Sequence, residues 1–138
     1  MKKYIISFFA VCSLLFLSAC GDGNTDSPEK IATQYIQAIY QGEIDTAAGL
    51  VNLGDENAQT SKDMQTHLKG KLGELSANYK KQVDELGGIK AVTADKADYY
   101  EDKQKADVKV NVSFKNSEKV DTSTVVLVKT KKGWKINL

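Results

Sequence analysis

Arginine is absent from these 138 residues, and histidine and tryptophan occur once each. The two cysteines, Cys12 and Cys20, both fall within the first twenty positions. Each scarcity closes off a chemistry. Without arginine there is no planar fork to grip a phosphate or carboxylate at two points. Beyond residue 20 no thiol remains for a disulfide, a thiolate metal site or a cysteine nucleophile. His67 has no second imidazole or downstream thiolate to share a transition metal with, so no metal site and no cofactor are expected. Its acidic neighbour Asp63 lies four residues earlier on the same helix face, the pattern of a surface histidine. The net charge is only +1, with no basic excess to draw nucleic acid. The longest apolar run, Ile5 to Leu17, is 13 residues, short of the roughly 20 that cross a bilayer.

That run follows Lys2-Lys3 and is closed by Ser18-Ala19, the layout of an export signal. Leu17-Ser18-Ala19-Cys20 resembles the bacterial lipobox, whose cysteine takes a diacylglycerol before the signal is cut away. The expected division is a signal peptide over 1–19, a lipidated Cys20 with a polar tether over 20–26, and one domain over 27–138. The resemblance implies a body anchored through lipid on the outer side of a bacterial membrane. Gly21 follows the cysteine and Asp22 comes one place later, which points to the outer membrane in a cell that has one. The exported portion would be 119 residues with 17 lysines and 18 acids, enough for a single core. Asp22, Asn24 and Asp26 imitate the start of a calcium loop, but Ser27 and Thr33 stand where that loop requires Gly and Glu, so the stretch reads as a linker.

From Ser27 the apolar period is helical. Ser27 is a suitable N-cap, Pro28 suits a first turn, and Ile31, Tyr35, Ile36, Ile39 and Tyr40 form one stripe ending at Gly42. A short second helix is expected in "EIDTAAGLVNL", then a loop, "GDENAQTSKD". A third helix follows, with Met64, Leu68, Leu72, Leu75, Tyr79 and Leu86 on its apolar face, halted by Gly87-Gly88. Its Met64-Leu68-Leu75 register is expected to pack across the sheet. Thereafter the period is two. A strand over Ile89 to Tyr100 is expected, then alternation from Val108 to Phe114, then "KVDTSTVVLVKT", then Trp134 to Leu138. Helices first and strands after give an α+β fold, three helices on a curved antiparallel sheet of about four strands. Val125 and Leu127 are out of phase with Val126 and Val128, so one pair must leave the core face, where a homodimer could form.

Signatures of catalysis are missing. None of Ser27, Ser61, Ser76, Ser113, Ser117 and Ser123 sits in a Gly-x-Ser-x-Gly elbow, and "GKLGEL" lacks the Gly-Lys-Ser/Thr ending of a phosphate loop. Asp55-Glu56 and Asp84-Glu85 are chain neighbours whose side chains diverge on a helix. The aromatics are more suggestive. Tyr35, Tyr79, Phe114 and Trp134 come from helices and sheet that should face one another, and a partly open cone could offer their polar edges to a small apolar ligand. Of the strand pair Tyr99-Tyr100, at most one faces the core; the other could be a partner contact.

"SPEKIATQYIQAIYQGEIDTAAGLV", "GGIKAVTADKA" and "KADVKVNVSFKNSEKVDTSTVVLVKTKKGWKINL" together resemble, in this order, small bacterial lipoproteins carrying a nuclear-transport-factor-2-like (cystatin-like) domain of unknown function. Some of these relatives are labelled lumazine-binding-like. The resemblance implies a cone fold. Enzymes of the wider fold use Asp-His pairs or similar constellations within the cone, and this chain shows no such pair. The expectation is a non-catalytic, membrane-anchored module that binds a protein partner or a small apolar ligand. The alternative is an enzyme using tyrosines and acids in the same cone.

Overall fold

The computed structural model describes residues 27–54 and 58–138; the expected signal, Cys20, the tether and Asp55-Glu56 lie outside them. Among the described residues, three helices precede five strands. They are α1 (Pro28–Gln41), α2 (Ile44–Gly49), α3 (Ala58–Glu85), β1 (Ile89–Ala94), β2 (Asp98–Tyr100), β3 (Lys105–Phe114), β4 (Val120–Thr130) and β5 (Gly133–Ile136).

The first helix begins and ends where its sequence demands. The Ser27 side chain accepts the Lys30 N–H at 3.3 Å, Pro28 occupies the first turn, and Glu29 complements the N-terminal dipole. At the other end Gly42 is left-handed (φ +82°), and the N–H of Glu43 returns to the Ala38 carbonyl at 2.8 Å. The stripe Ile31, Tyr35, Ile36, Ile39 and Tyr40 is buried throughout.

The sheet has the order β1-β3-β4-β5, antiparallel, with β2 sharing the edge of β3 that β1 begins. Alternation places Ala106, Val108, Val110, Val112 and Phe114 of β3 on the inner face, all essentially buried. Register carries this phase into β4, where Val108 faces Val125 and Ala106 faces Leu127. Val125 and Leu127 therefore belong to the core, and Val126 and Val128 are the half-buried pair on the outer face. Helix α1 crosses the inner face and touches β1, β3, β4 and β5.

Three expectations are corrected. The expected strand over Ile89 to Tyr100 is two strands. Residues 95–97 break it, because Ala97 turns inward and its N–H bonds the Glu29 carboxylate at 2.9 Å. The third helix starts at Ala58, inside the expected loop, since a polar first turn needs no apolar partner. That helix lies mainly along α1 and α2, not flat across the sheet. Its inward stripe runs through Leu68, Leu72, Ser76, Tyr79 and Val83, leaving Met64 and Leu75 exposed. Ser76 can occupy a core position because its hydroxyl donates to the Ile39 carbonyl at 2.6 Å. Tyr99 and Tyr100, of which at most one was to face the core, are both exposed, at 43% and 38%. Tyr99 is on the inner face but beyond the cover of the helices, and Tyr100 is on the outer face, donating to Asp107 at 3.1 Å.

Candidate functional site

Strand β5 pairs only with Leu127 to Thr130, so the half of β4 nearer Val120 has one free edge. There α1, α3 and β4 do not close completely. They leave a cleft of about 250 Å³, which the chain flanks again at Ile136 to Leu138. Two successive turns of α1 supply Tyr35, Ile36, Ile39 and Tyr40; α3 supplies Leu75 and Tyr79; β4 supplies Ser123 to Val126. The helical spacing of 35, 36, 39 and 40 puts all four on the face that meets the sheet. The Asn137 N–H bonds the Val126 carbonyl at 2.8 Å and fixes the tail as one wall. Leu75 and Leu138, both exposed, stand at the mouth.

No charged side chain lines this cleft. Its polar groups are the tyrosine hydroxyls, the hydroxyls of Ser123 and Thr124, and the Asn137 amide. Tyr35 is 6% exposed, yet no group among the described residues hydrogen-bonds its hydroxyl. Among the described residues no fully buried side-chain polar atom lacks a partner, so the Tyr35 hydroxyl must meet solvent, and the cleft is where it does so. Burial, then the nearby Tyr79, pushes the Tyr35 hydroxyl above the ordinary tyrosine range. It stays neutral, a hydrogen-bond donor, throughout the physiological range.

The back wall is a polar network. Tyr40 stacks on Tyr79 with ring centroids 4.4 Å apart and tilts against Phe114 at 6.2 Å. Its hydroxyl donates to Oδ2 of Asp121 at 3.1 Å, and Gln82 Nε2 donates to the same oxygen at 2.8 Å. Lys119 Nζ lies 3.5 Å from Oδ1. Burial first, and then the Asp121 charge, drives the Tyr40 hydroxyl far above its ordinary value. Asp121 is thus held by three donors.

Of the four aromatics singled out from sequence, the structure brings Tyr35 and Tyr79 together in the cleft. Phe114 lies behind it, fully buried against Tyr40. Trp134 is at the other end of the sheet, 5.9 Å from Tyr99, because β5 carries it past Ile136 toward the Thr130 turn. Tyr40, Asp121 and Gln82 escaped the sequence reading as a group. One signal was present: Asp121 is in phase with Ser123, Val125 and Leu127, and a carboxylate in the inward phase of a strand needs donors. His67 is exposed on α3, away from the cleft. Among the described residues no group of three or more His, Cys, Asp or Glu side chains could hold a metal ion, and no helix is long and apolar enough to cross a membrane.

A family model described as Domain of unknown function (DUF4878) matches residues 18–137. The chain belongs to this family. Among solved structures, this DUF4878 chain is similar to a crystal structure from Campylobacter jejuni that carries the provisional name NTF2-like transpeptidase. The match has a TM-score of 0.69 and 22% identity, and covers 82% of this chain and 99% of that one. At that identity the likeness speaks to the fold, an NTF2-like α+β cone. Among curated proteins none matches.

Proposed function

We propose that this DUF4878 chain is a binding module held at a bacterial membrane by lipid on Cys20, and that its tyrosine cleft takes the apolar part of a small ligand. The observation that carries the reading is the Tyr35 hydroxyl: a donor without a partner among the described residues, inside a cleft lined mainly by aliphatic and aromatic side chains and by no charged one. Such a lining suits an alkyl or aromatic group bearing one carbonyl or ether acceptor. About 250 Å³ is below the usual range for drug-sized ligands, so a fragment of a larger molecule would enter and the rest would lie over Leu75 and Leu138.

Transpeptidation, the activity in the name of the Campylobacter protein, requires an activated nucleophile. Ser123 reaches this cleft, but no His, Lys, Asp or Glu side chain lines it to act as a base. Tyr35 and Tyr40 are kept protonated, which suits donation and not proton abstraction. Binding without chemistry is therefore the reading favoured over an enzyme.

The test is native mass spectrometry of the protein purified from its own cells, followed by NMR titration with a medium-chain alkyl methyl ester. The expected result is an added mass of a few hundred daltons, or ester-induced shifts at Tyr35 and Tyr79, either one diminished in Tyr35→Phe and abolished in Leu75→Asp. A bare protein whose cleft resonances ignore the ester would overturn the proposal.

A further inference from the structure

A second, larger cleft of about 610 Å³ opens between residues 48–54, Gln65 of α3 and the β4–β5 hairpin. Its character is opposite to the first. Four of the chain's lysines line it: Lys129, Lys131, Lys132 and Lys135. No carboxylate among the described residues lines it, and none lies within ion-pair distance of these four. Asp55 and Glu56, next in sequence after Gly54, lie outside the described residues. In a chain of net charge +1, four ammonium groups at one cleft, none of them ion-paired among the described residues, are a local excess that calls for a counter-anion.

The backbone that carries these lysines is fixed, and so is the ammonium of Lys135. Lys135 Nζ donates to the Gly49 carbonyl at 3.0 Å, which ties β5 to the end of α2 and leaves its other protons free. The hairpin turn is pinned by Thr130, whose hydroxyl donates to the Gly133 carbonyl at 2.7 Å and accepts the Lys132 N–H at 3.2 Å. The Lys129 N–H is fixed to the Gln104 carbonyl at 2.8 Å. The Asn52 side-chain Oδ1 accepts the Gly54 N–H at 3.2 Å, so the side-chain NH2 is left to present donors.

The position of this cleft is the second observation. Glu29, in the first turn of α1, bonds Ala97, and Tyr99 two residues on packs against Trp134, which sits between Gly133 and Lys135. The described chain therefore begins at the lysine end of the cone. The seven steps from Cys20 to Ser27 reach at most about 25 Å when fully extended. With a lipid on Cys20, the lysine end cannot leave the neighbourhood of the bilayer.

We propose that this cleft docks on the phosphate groups of anionic lipid headgroups, so that the body lies lysine end down and carries its tyrosine cleft away from the surface. The orientation rests on the Cys20 reading; the affinity for anionic phosphate does not.

Trp134 is the chain's single tryptophan and lies within this end, so it reports docking directly. The experiment adds the full chain to vesicles carrying a headgroup-dansylated tracer and measures energy transfer from Trp134. Vesicles of phosphatidylglycerol should give stronger transfer than vesicles of phosphatidylcholine, and high salt should erase the difference. Each lysine near the surface should contribute roughly fivefold, so Lys131→Gln/Lys132→Gln should weaken the anionic preference about 25-fold. Lys80→Gln/Lys81→Gln, two exposed positions on α3 toward its other end, should leave it intact. Equal transfer on the two lipids, or a preference untouched by the Lys131/Lys132 change, would overturn the proposal. So would a Trp134 response to inorganic phosphate in solution without any lipid preference.

Discussion

Replacing Tyr40 with phenylalanine removes one oxygen from the interior and leaves every ring contact in place. The stack on Tyr79 at 4.4 Å and the contact with Phe114 at 6.2 Å are unchanged, and no cavity is made. What is lost is the hydrogen bond to Asp121. A hydrogen bond to a charged group contributes roughly 1.5–3 kcal/mol. Asp121 keeps the Gln82 amide and the Lys119 ammonium, so its carboxylate is not orphaned and the lower end applies, about 1.5 kcal/mol. For a body of this size that is a fall in Tm of about 6 °C. Thermal and urea unfolding monitored by circular dichroism measure it, and a double-mutant cycle with Asp121→Asn isolates the pair. The sign with pH is also fixed. The native hydroxyl ionises above its unfolded value of 10.0, so its contribution is complete below about pH 10 and is lost as pH rises past it. The slope is about 1.4 kcal/mol per pH unit for each such tyrosine. Tyr35 is shifted the same way, so Tyr40→Phe should reduce the alkaline slope without abolishing it. A variant within about 0.3 kcal/mol of the parent, with an unchanged alkaline slope, would refute the assignment of Tyr40 and Asp121 as a coupled pair.

Two glycines should respond in opposite directions. Gly87 has φ +80°, and a Cβ there would fall on the Asn116 amide, so Gly87→Ala should cost roughly 1–2 kcal/mol in urea unfolding. Gly70 is helical with open space beside it, so Gly70→Ala should stabilise by about 0.5–1 kcal/mol. Glu29 gives an acid-side test. Burial raises its pKa, but the Ala97 N–H, hydrogen bonds within the first turn and Lys96 outweigh that and hold it below 4.5. Its contribution is complete above about pH 4.5 and fades as pH falls through the native value, so Glu29→Gln should flatten acid unfolding in that window.

What could be read in the sequence was phase; what could not was position along the cone. Alternation in β3 and the stripe of α1 assigned faces, and burial follows them residue by residue. Phase alone put Phe114 and Trp134 on the inner face beside Tyr35 and Tyr79, and that face is theirs. Their height on it depends on strand register, which placed one behind the cleft and the other at the far end. The break at residues 95–97 was hidden for a related reason. It depends on Glu29, 68 residues earlier, and no local pattern around Ala97 announces it. The early start of α3 left no mark either, because a polar turn carries no apolar period.

The last strand clasps the exit of the second helix. Ile136 exchanges backbone hydrogen bonds with Leu50 and Asn52, and Lys135 reaches Gly49 across 86 residues. Tyr40 meets Asp121 across 81. Closing such loops costs chain entropy before any of these contacts forms, which slows folding. The β3–β4 hairpin can zip early from its own short turn. The apolar stripe of α1 has no sheet to lie on until the strands are made, and the clasp waits for Ile136. During synthesis, when the N-terminal end emerges first, α1 is a sticky amphipathic segment for nearly the whole length of the chain. The topology thus sets a period of vulnerability to aggregation that lasts until β5 is in place.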